Sequence, residues 1–267
     1  MPIHQLAEYR PERCDDCPND DCRGNCQECL DHIHQIITED RTYNCQNIVF
    51  FYTCHYIYRY STELEYLFNI YRILFNKAKN VRMWSIGCGP ACELYGLYNF
   101  KAHNNLDFNI EYKCFELNDE WTTIHEYIGQ QDEFQAEFYI QDFFNFIENT
   151  DEHPNIIVLS YLLSDILRTN REYIDDFIEN LCVYTGSLEK AFLIINDINL
   201  GRNNNEARYY FETIQRSFFK TVGKGQIKGI GRYHFANSQR RYFEYGYPHP
   251  DNQVRLIPDQ EIATNYN

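Results

Sequence analysis

The stretch Met83–Leu97, MWSIGCGPACELYGL, decides the fold of this 267-residue chain. An apolar segment runs into the turn Gly87-Cys88-Gly89-Pro90-Ala91, and a helical pattern begins directly after it. Glycines suit such a turn because the backbone must bend sharply at the end of a strand and let a ligand approach closely. The start of the following helix offers N–H groups to an anionic part of that ligand. The stretch therefore predicts a strand, a turn and a helix that together bind a ligand.

The spacing of the glycines narrows the kind of ligand site. The dinucleotide fingerprint G-x-G-x-x-G requires a third glycine where this chain has Cys92. The pattern G-x-x-x-x-G-K-S/T occurs nowhere in the sequence, which excludes a P-loop. A G-x-G pair alone is a weak signal, so a Rossmann-like domain that binds another nucleotide, or none, is an alternative interpretation.

Apolar runs and helical patterns alternate around this stretch. Five runs are predicted strands: Val81–Ile86, Ile110–Phe115, Glu137–Ile140, Ile156–Ser160 and Ala191–Ile195. Predicted helices are Asn47–Lys79 (with a second helix opening at Ser61-Thr62), Ala91–Phe100, Asp119–Ile128, Arg171–Leu181 and Asn205–Arg216. Strand-like segments follow at Phe218–Val222 and Arg241–Tyr245. Strands that alternate with helices are typical of βαβ units, which predicts a parallel sheet covered on both faces.

The glycine turn resembles the first motif of the class I S-adenosylmethionine (SAM)-dependent methyltransferases. In that family a strand ends in G-x-G-P/x-G/A, and the matching residues here are Gly87, Gly89, Pro90 and Ala91, with Cys88 between the glycines. The resemblance implies a Rossmann-like, doubly wound, mostly parallel seven-stranded sheet with a terminal antiparallel hairpin. It also implies SAM as the cofactor and methyl transfer as the activity.

Three later landmarks follow in the order that the same resemblance implies. Glu116 ends the second strand in YKCFELND, where family members place an acidic residue that accepts hydrogen bonds from both ribose hydroxyls. Asp142, in FYIQDFF, matches the residue beside the adenine amino group. Ser160 and Tyr161, at the end of the fourth strand, match positions that face the methyl donor. These residues, with Gly87 to Pro90, are the predicted cofactor-binding set.

The methyl acceptor is not identified by any motif. The fourth strand lacks both the N/D/S-P-P-Y/F/W motif of amine methylases and a Pro-Cys nucleophile, which disfavours those two chemistries. Methyl transfer is an in-line displacement that depends largely on positioning, so it requires no obvious catalytic residue. The candidate catalytic residues, each with a structural role as the alternative, are Tyr161, Asp165, Asp197 and His234. Tyr52, Tyr56 and Arg59 are candidates for contacting the cofactor carboxylate or for core packing.

Seven of the 11 cysteines lie in the first 54 residues. No secretory signal or membrane span is found, so a cytoplasmic protein with reduced or metal-bound thiols is expected. The predicted ligands are Cys14, Cys17, Cys26 and Cys29, with Cys22, His32 and His34 as alternates. Zinc suits such a closed thiolate site, and an iron–sulfur cluster is the alternative. Residues 1–45 are thus a predicted metal-binding module before a methyltransferase-like domain at residues 46–267.

The remaining cysteines are expected to behave as small buried hydrophobes, namely Cys45, Cys54, Cys88, Cys92, Cys114 and Cys182. None of them occurs in a C-x2-C pair. Without a signal peptide, reduced thiols are expected at these positions and not a disulfide scaffold.

The net charge of −15 disfavours generic binding to a phosphate backbone, yet the charge is uneven. Residues 202–241 hold nine Lys/Arg against two Glu, interleaved with aromatic residues that suit single-stranded nucleic acid. A solvated helix face and hairpin is the alternative interpretation. The acceptor is therefore a nucleic acid such as RNA, a protein or a small molecule. Two other classes of function stay open, a non-catalytic interaction module and an iron–sulfur redox sensor.

Overall fold

The computed structural model describes residues 26–35, 43–131, 135–189 and 191–197, together with Arg216 alone. In these ranges the strands are β1 (Asn80–Ile86), β2 (Asn109–Glu116), β3 (Gln135–Ile140), β4 (Ile156–Ser160) and β5 (Phe192–Asn196). The α-helices are α1 (Cys26–Gln35), α2 (Gln46–Ile70), α3 (Cys92–His103), α4 (Thr122–Gly129), α5 (Phe143–Ile147), α6 (Leu163–Thr169) and α7 (Ile174–Ser187). Short 3₁₀ turns lie at Arg72–Leu74 and Asp119–Trp121.

The five strands form one parallel sheet in the order β3-β2-β1-β4-β5. Ile86 at the end of β1 pairs with Phe115 of β2 on one side and Leu159 of β4 on the other. The chain leaves β1 toward one edge and returns to β4 on the opposite side, so the topological switch point lies between β1 and β4. Ligands of such sheets bind at the carboxyl ends of the strands beside this point. The predicted α/β class and all five predicted strands are confirmed.

Alternate residues of the central strands build two cores. Met83 of β1 belongs to a cluster with residues of α2, α3 and α4, whereas its neighbour Trp84 packs with α5, α6 and α7. The side-chain period of a strand is two residues, so adjacent residues point to opposite faces. Burial on both faces explains why β4 is a continuous apolar run, IIVL, before Ser160. The predicted helical cover on both faces is therefore present.

Helix α2 is one helix of 25 residues, which makes the predicted break at Ser61-Thr62 wrong. The Ser61 and Thr62 hydroxyls donate hydrogen bonds to the carbonyls of Ile57 and Tyr58, four residues back. Hydroxyls that bond backward in this way are compatible with a helix interior instead of capping a new helix start. Helices α5 and α6 were not predicted from the sequence.

The described part of the cysteine-rich segment, Cys26–Gln35, is a helix. Cys26 and Cys29 lie on one face of α1 with Leu30 and Ile33, and all four side chains are buried. The apolar face of α1 packs on the start of α2, because Cys29 and Ile33 form a small cluster with Cys45 and Ile48. The other predicted ligands Cys14, Cys17 and Cys22 lie outside the described residues, so the zinc site stays a prediction.

Several further predictions lie outside the described residues. They include the helix Asn205–Arg216 except for Arg216 itself, the basic stretch at residues 202–241, and the sixth and seventh strands with their hairpin. No helix of the described residues is long and apolar enough to cross a membrane.

Candidate functional site

The glycine turn after β1 has the backbone conformation that its sequence predicts. Gly87 and Gly89 have φ angles of +63° and +46°, and Ala91, directly before α3, has φ +56°. A Cβ atom on Gly87 would also lie 2.7 Å from a methyl carbon of Leu162. The Gly87 amide donates a hydrogen bond to the Phe115 carbonyl at 2.8 Å, which ties the turn to β2. The two glycines are therefore required by left-handed backbone, as the sequence predicts.

Glu116, at the end of β2, contacts this turn directly. Its Oε2 accepts a hydrogen bond from the Gly89 amide at 3.0 Å, and its Oε1 accepts from the amides of Leu117 and Asn118 at 2.9 and 3.1 Å. Burial raises the pKa of Glu116 above its usual value, these three N–H groups oppose the rise, and the Asp165 carboxylate adds to it. A half-buried carboxylate thus lies beside the glycine turn, at the end of the neighbouring strand.

His125 of α4 holds the other side of Gly89. Its Nε2 lies 2.7 Å from the Gly89 carbonyl oxygen, and its Nδ1 is buried with no hydrogen-bond partner among the described residues. The ring stacks on Phe138 at a centroid distance of 4.5 Å. Burial lowers the pKa of His125 to about 4, against the bond to the Gly89 carbonyl, which raises it. The ring is therefore neutral at physiological pH and donates from Nε2 to the carbonyl.

Cys88 and Cys114 form a disulfide beneath this turn, with Cα atoms 5.9 Å apart. The expectation that both behave as isolated buried hydrophobes is therefore wrong. They are 26 residues apart in sequence, but β1 and β2 are neighbouring parallel strands whose ends meet at one edge. Cys88 Sγ also lies 3.7 Å from His125 Nε2. The other four cysteines of that prediction, Cys45, Cys54, Cys92 and Cys182, are buried as expected.

The end of β4 carries the second part of the site. Tyr161 has φ +58°, an uncommon value for a large side chain that persists only where the surroundings impose it. Its amide donates to the Asn196 carbonyl at 2.7 Å, and its ring stacks on Tyr60 of α2 at 4.1 Å. The neighbouring Ser160 hydroxyl is buried with no hydrogen-bond partner among the described residues. A strained tyrosine and an unpartnered hydroxyl thus lie at the switch point.

Glu63 of α2 joins this region and was not predicted from the sequence. Only 3% of its side chain is exposed. Its Oε2 accepts hydrogen bonds from the Tyr161 hydroxyl at 2.7 Å and from the side-chain Nδ2 of Asn196 at 3.0 Å. Its Oε1 accepts from Arg59 Nε at 3.2 Å. Burial and the Glu63 carboxylate together raise the pKa of Tyr161 well above its usual value. The tyrosine is therefore a neutral hydrogen-bond donor and not a ready base.

The signal for Glu63 is present in the sequence but ambiguous. Arg59 and Glu63 are four residues apart on one helix, which is the spacing of ordinary exposed ion pairs. The spacing does not indicate that the Glu63 carboxylate is buried against Tyr161 and Asn196, which lie 98 and 133 residues later in the chain. Arg59 therefore pairs with Glu63, while Tyr52, Tyr56 and Tyr60 form a row of contacting rings along α2.

The remaining candidates have structural partners. Asp142 caps α5 by accepting from the Asn145 amide at 3.0 Å, and Asp197 accepts from the Ser164 amide in α6 at 2.9 Å. Asp165 lies in the first turn of α6, and its carboxylate is near enough to Glu116 to raise the pKa of Glu116. His234 lies outside the described residues. Asp142, Asp165 and Asp197 are thus brought to the carboxyl edge of the sheet, and two of them also stabilise helix starts.

Glu93, in the first turn of α3, is a further buried acid that was not predicted. Only 1% of it is exposed, and its Oε2 has no hydrogen-bond partner among the described residues. Burial raises its pKa to about 8, although its own backbone and Ser85 lower it. Glu93 is therefore largely protonated at neutral pH and adds no full charge beneath the glycine turn.

Neither a family model nor a curated protein matches this sequence. Among solved structures, the chain is similar to the precorrin-6y C5,15-methyltransferase of Geobacter metallireducens GS-15, with 12% identity and a TM-score of 0.34 over 55% of this chain and 69% of that one. It is also similar to the 4+2 cyclase SpnF, with 12% identity and a TM-score of 0.36 over 57% of this chain and 56% of that one. The similarity to the CMeT domain of the citrinin polyketide synthase has 13% identity and a TM-score of 0.39 over 60% of this chain and 45% of that one. Similarities at this level assign neither a family nor an activity.

Proposed function

We propose that this chain is a SAM-dependent methyltransferase. The observation that carries the proposal is that the Glu116 carboxylate, at the end of β2, lies directly beside the left-handed glycine turn that follows β1. A carboxylate at the end of one parallel strand and a glycine turn at the end of the next are what a nucleoside with two ribose hydroxyls requires. The motif resemblance of the sequence specifies SAM among such ligands.

The residues at the carboxyl edge fit this cofactor. Glu116 would accept hydrogen bonds from the ribose hydroxyls, and the amides at the start of α3 would bind the carboxylate of the methionine part. The unpartnered Ser160 hydroxyl provides a buried polar contact between the two parts. Asp142, on the neighbouring loop after β3, lies on the adenine side. When bound, the cofactor supplies an electrophilic methyl group on a sulfonium.

The residues around β4 then position the acceptor instead of activating it. Tyr161 is held by Glu63 and stacked on Tyr60, so its ring would form a fixed wall for the acceptor beside the bound methyl donor. Its one hydroxyl proton is donated to Glu63, so the hydroxyl oxygen is left to accept a hydrogen bond that orients the methyl acceptor. Asp165 and Asp197, on the same edge, are the carboxylates available for taking up a proton. In-line alignment of donor and acceptor supplies the main rate effect.

The acceptor and the N-terminal module complete the proposal. The basic, aromatic stretch at residues 202–241 favours nucleic acid over a protein or small molecule as acceptor. Residues 1–45 bind zinc, or alternatively an iron–sulfur cluster, ahead of the methyltransferase-like domain at residues 46–267. A cytoplasmic location suits the N-terminal module, because its thiolate ligands are kept reduced there.

Calorimetric titration with S-adenosylhomocysteine (SAH) tests the proposed function. In dithiothreitol, the metal-replete chain is expected to bind SAH with micromolar affinity, and Glu116→Ala is expected to weaken binding by about 100-fold because two charge-assisted hydrogen bonds are lost. Glu126→Ala, which removes an exposed carboxylate on α4, is the matched control and leaves the affinity unchanged. Absence of SAH binding to the unaltered chain, or equal binding by Glu116→Ala, contradicts the proposal.

A further inference from the structure

Cys88 and Cys114 connect the two segments on which cofactor binding depends. Cys88 lies between Gly87 and Gly89, and Cys114 lies on β2 two residues before Glu116. Their Cα separation of 5.9 Å is within the usual range for a disulfide. Both side chains are buried on the face of the sheet that packs against α4. The disulfide therefore ties the glycine turn to the strand that carries the ribose-binding carboxylate.

Gly89, next to Cys88, is held on both sides of its backbone. Its amide donates to Glu116 Oε2 at 3.0 Å, and its carbonyl accepts from His125 Nε2 at 2.7 Å. The disulfide is a third, covalent tie one residue away. The turn is thus closed onto β2 and α4 in this conformation.

This closure leaves Glu116 poorly prepared for a ribose. A carboxylate offers about four lone-pair sites. Three of them already accept the amides of Gly89, Leu117 and Asn118. One site is left for two ribose hydroxyls, so full recognition requires the Gly89 amide to move away. The amides of Leu117 and Asn118 follow Glu116 directly in the chain, which makes Gly89 the partner that is able to move.

We propose that Cys88 and Cys114 form a reversible thiol–disulfide latch that regulates cofactor binding. The proposal rests on the function proposed above and adds its regulation. The disulfide holds Gly89 on Glu116 and weakens binding of the cofactor. In the dithiol form the Gly87 amide still bonds the Phe115 carbonyl, but Gly89 is free to move away and releases the lone pair of Glu116 Oε2 that it occupied.

The oxidant is a small-molecule disulfide such as oxidised glutathione. One protein thiolate attacks a glutathione sulfur, the glutathione S–S bond breaks, and one glutathione leaves as a thiolate that takes up a proton. The second protein thiolate then attacks the mixed disulfide and releases the other glutathione. Two protein thiols are oxidised to one disulfide, and one oxidised glutathione is reduced to two thiols. Because both cysteines are buried, the exchange proceeds only when the turn opens.

The test compares the full chain in two redox states. One sample is held in dithiothreitol, and the other is oxidised with glutathione disulfide until peptide mass spectrometry finds the Cys88–Cys114 cross-link complete. The oxidised sample is expected to bind SAH about tenfold more weakly, because one charge-assisted hydrogen bond is withheld. Dithiothreitol is expected to restore the affinity.

Variants separate this pair from the other cysteines. Cys114→Ser and, as a second variant, Cys88→Ser are expected to bind SAH equally in both conditions. Cys182→Ser, a buried cysteine of α7 on the opposite face of the sheet, is the control that keeps the redox response. The comparison of the unaltered chain in the two states does not depend on either latch variant folding.

Three outcomes have distinct meanings. Equal SAH affinity with the cross-link mapped overturns the latch. Resistance of the pair to oxidation, with one equivalent of zinc lost in Cys114→Ser, also overturns it and assigns Cys88, Cys114 and His125 to a metal site instead. If SAH binds neither state, the proposed function is wrong. The latch is then tested by comparing the rates of amide hydrogen exchange at residues 87–91 in the oxidised and reduced chains. Slower exchange in the oxidised chain supports it, and equal exchange overturns it.

Discussion

The two halves of the carboxyl edge of the sheet are built by different means. At the ends of β1 and β2, backbone amides of the glycine turn and of residues 117 and 118 converge on the Glu116 carboxylate. At the ends of β4 and β5, side chains converge on a second carboxylate, Glu63, which α2 supplies. The amides of residues 117 and 118 require only a local conformation and the Gly89 amide requires only the pairing of β1 with β2, whereas the side-chain donors require three separate elements to pack correctly. The first half is therefore visible in a short motif, and the second is not.

Gly96 lies where the helix that follows the glycine turn packs on the helix that carries Glu63. Its substitution is expected to lower the free energy of unfolding more than any other change proposed below. The glycine lies on α3, which follows the glycine turn, and its backbone is in close contact with α2, which carries Glu63. A Cβ atom there would lie 2.7 Å from the Ser61 carbonyl oxygen and 3.2 Å from the Glu65 amide nitrogen. Backbone cannot rotate away as a side chain can, so Gly96→Ala is expected to lower the free energy of unfolding by about 3 kcal/mol. Denaturant unfolding measures the change.

The matched control for Gly96→Ala is Gly129→Ala, at the end of α4. A Cβ atom on Gly129 would meet Phe138 at 3.9 Å, an ordinary contact. Its expected effect is between zero and a gain of about 0.5 kcal/mol, because alanine loses less backbone entropy in a helix. Equal effects of the two substitutions would show that α2 and α3 are not held as closely as described.

The backbone-built half is expected to loosen in acid through His125. Its pKa is lowered from 6.5 to about 4, so the unfolded chain binds the proton more readily than the folded chain. The free energy of unfolding is therefore undiminished by this group above pH 6.5 and falls as the pH drops from 6.5 to 4. The loss amounts to about 2 kcal/mol between pH 8 and pH 5.

His125→Gln isolates this contribution, because its amide retains a donor for the Gly89 carbonyl but does not titrate. Urea unfolding at a series of pH values is expected to show a shallower acid slope in the variant over the same interval. Identical slopes would mean that His125 is not held neutral in the folded chain.

The side-chain-built half is expected to respond more weakly to the loss of one donor. Tyr161→Phe removes the hydroxyl that donates to Glu63 but leaves Asn196 and Arg59 as partners, so the expected loss is about 1 kcal/mol. Combined with Glu63→Gln, the two effects are expected to be less than additive because they remove one shared interaction. Thermal unfolding of the single and double variants measures this coupling.

Tyr184→Phe is the matched control for the tyrosine. The Tyr184 hydroxyl is buried but has no hydrogen-bond partner among the described residues, so its removal is expected to cost nothing. Strict additivity in the Tyr161 and Glu63 cycle would show that the two side chains do not interact.

The backbone-built half could be predicted from the sequence in most of its parts. The five strands, the glycine turn and Glu116 each follow from a local pattern. An apolar run predicts a strand, closely spaced glycines predict a turn with positive φ angles, and an acidic residue at a strand end predicts the carboxylate beside it. Asp142 was predicted as a binding residue, and its capping of α5 is equally local. The Ser61-Thr62 break failed because a hydroxyl bonds either forward as a cap or backward within a helix, and the sequence does not distinguish the two.

Long-range pairings are what the sequence could not predict. The Cys88–Cys114 disulfide joins residues whose spacing carries no motif, and it exists because β1 and β2 end side by side. Glu63 reads as half of an ordinary helical ion pair until α2 docks against β4 and β5. Burial likewise keeps His125 neutral and raises the pKa of Glu93. The residues next to them in the sequence do not indicate that burial.

The sequence by itself determined the α/β class, the order of the strands along the chain, and the glycine turn after β1. Each of these depends on the chain's own conformation over fewer than about ten residues, where side-chain periodicity and glycine sterics act directly. Only the tertiary structure decided which carboxylates are buried, which cysteines pair and which tyrosine faces the switch point. Those properties are set by the distance between elements and by the loss of water around them, and both come into existence only when the sheet and its helices pack together.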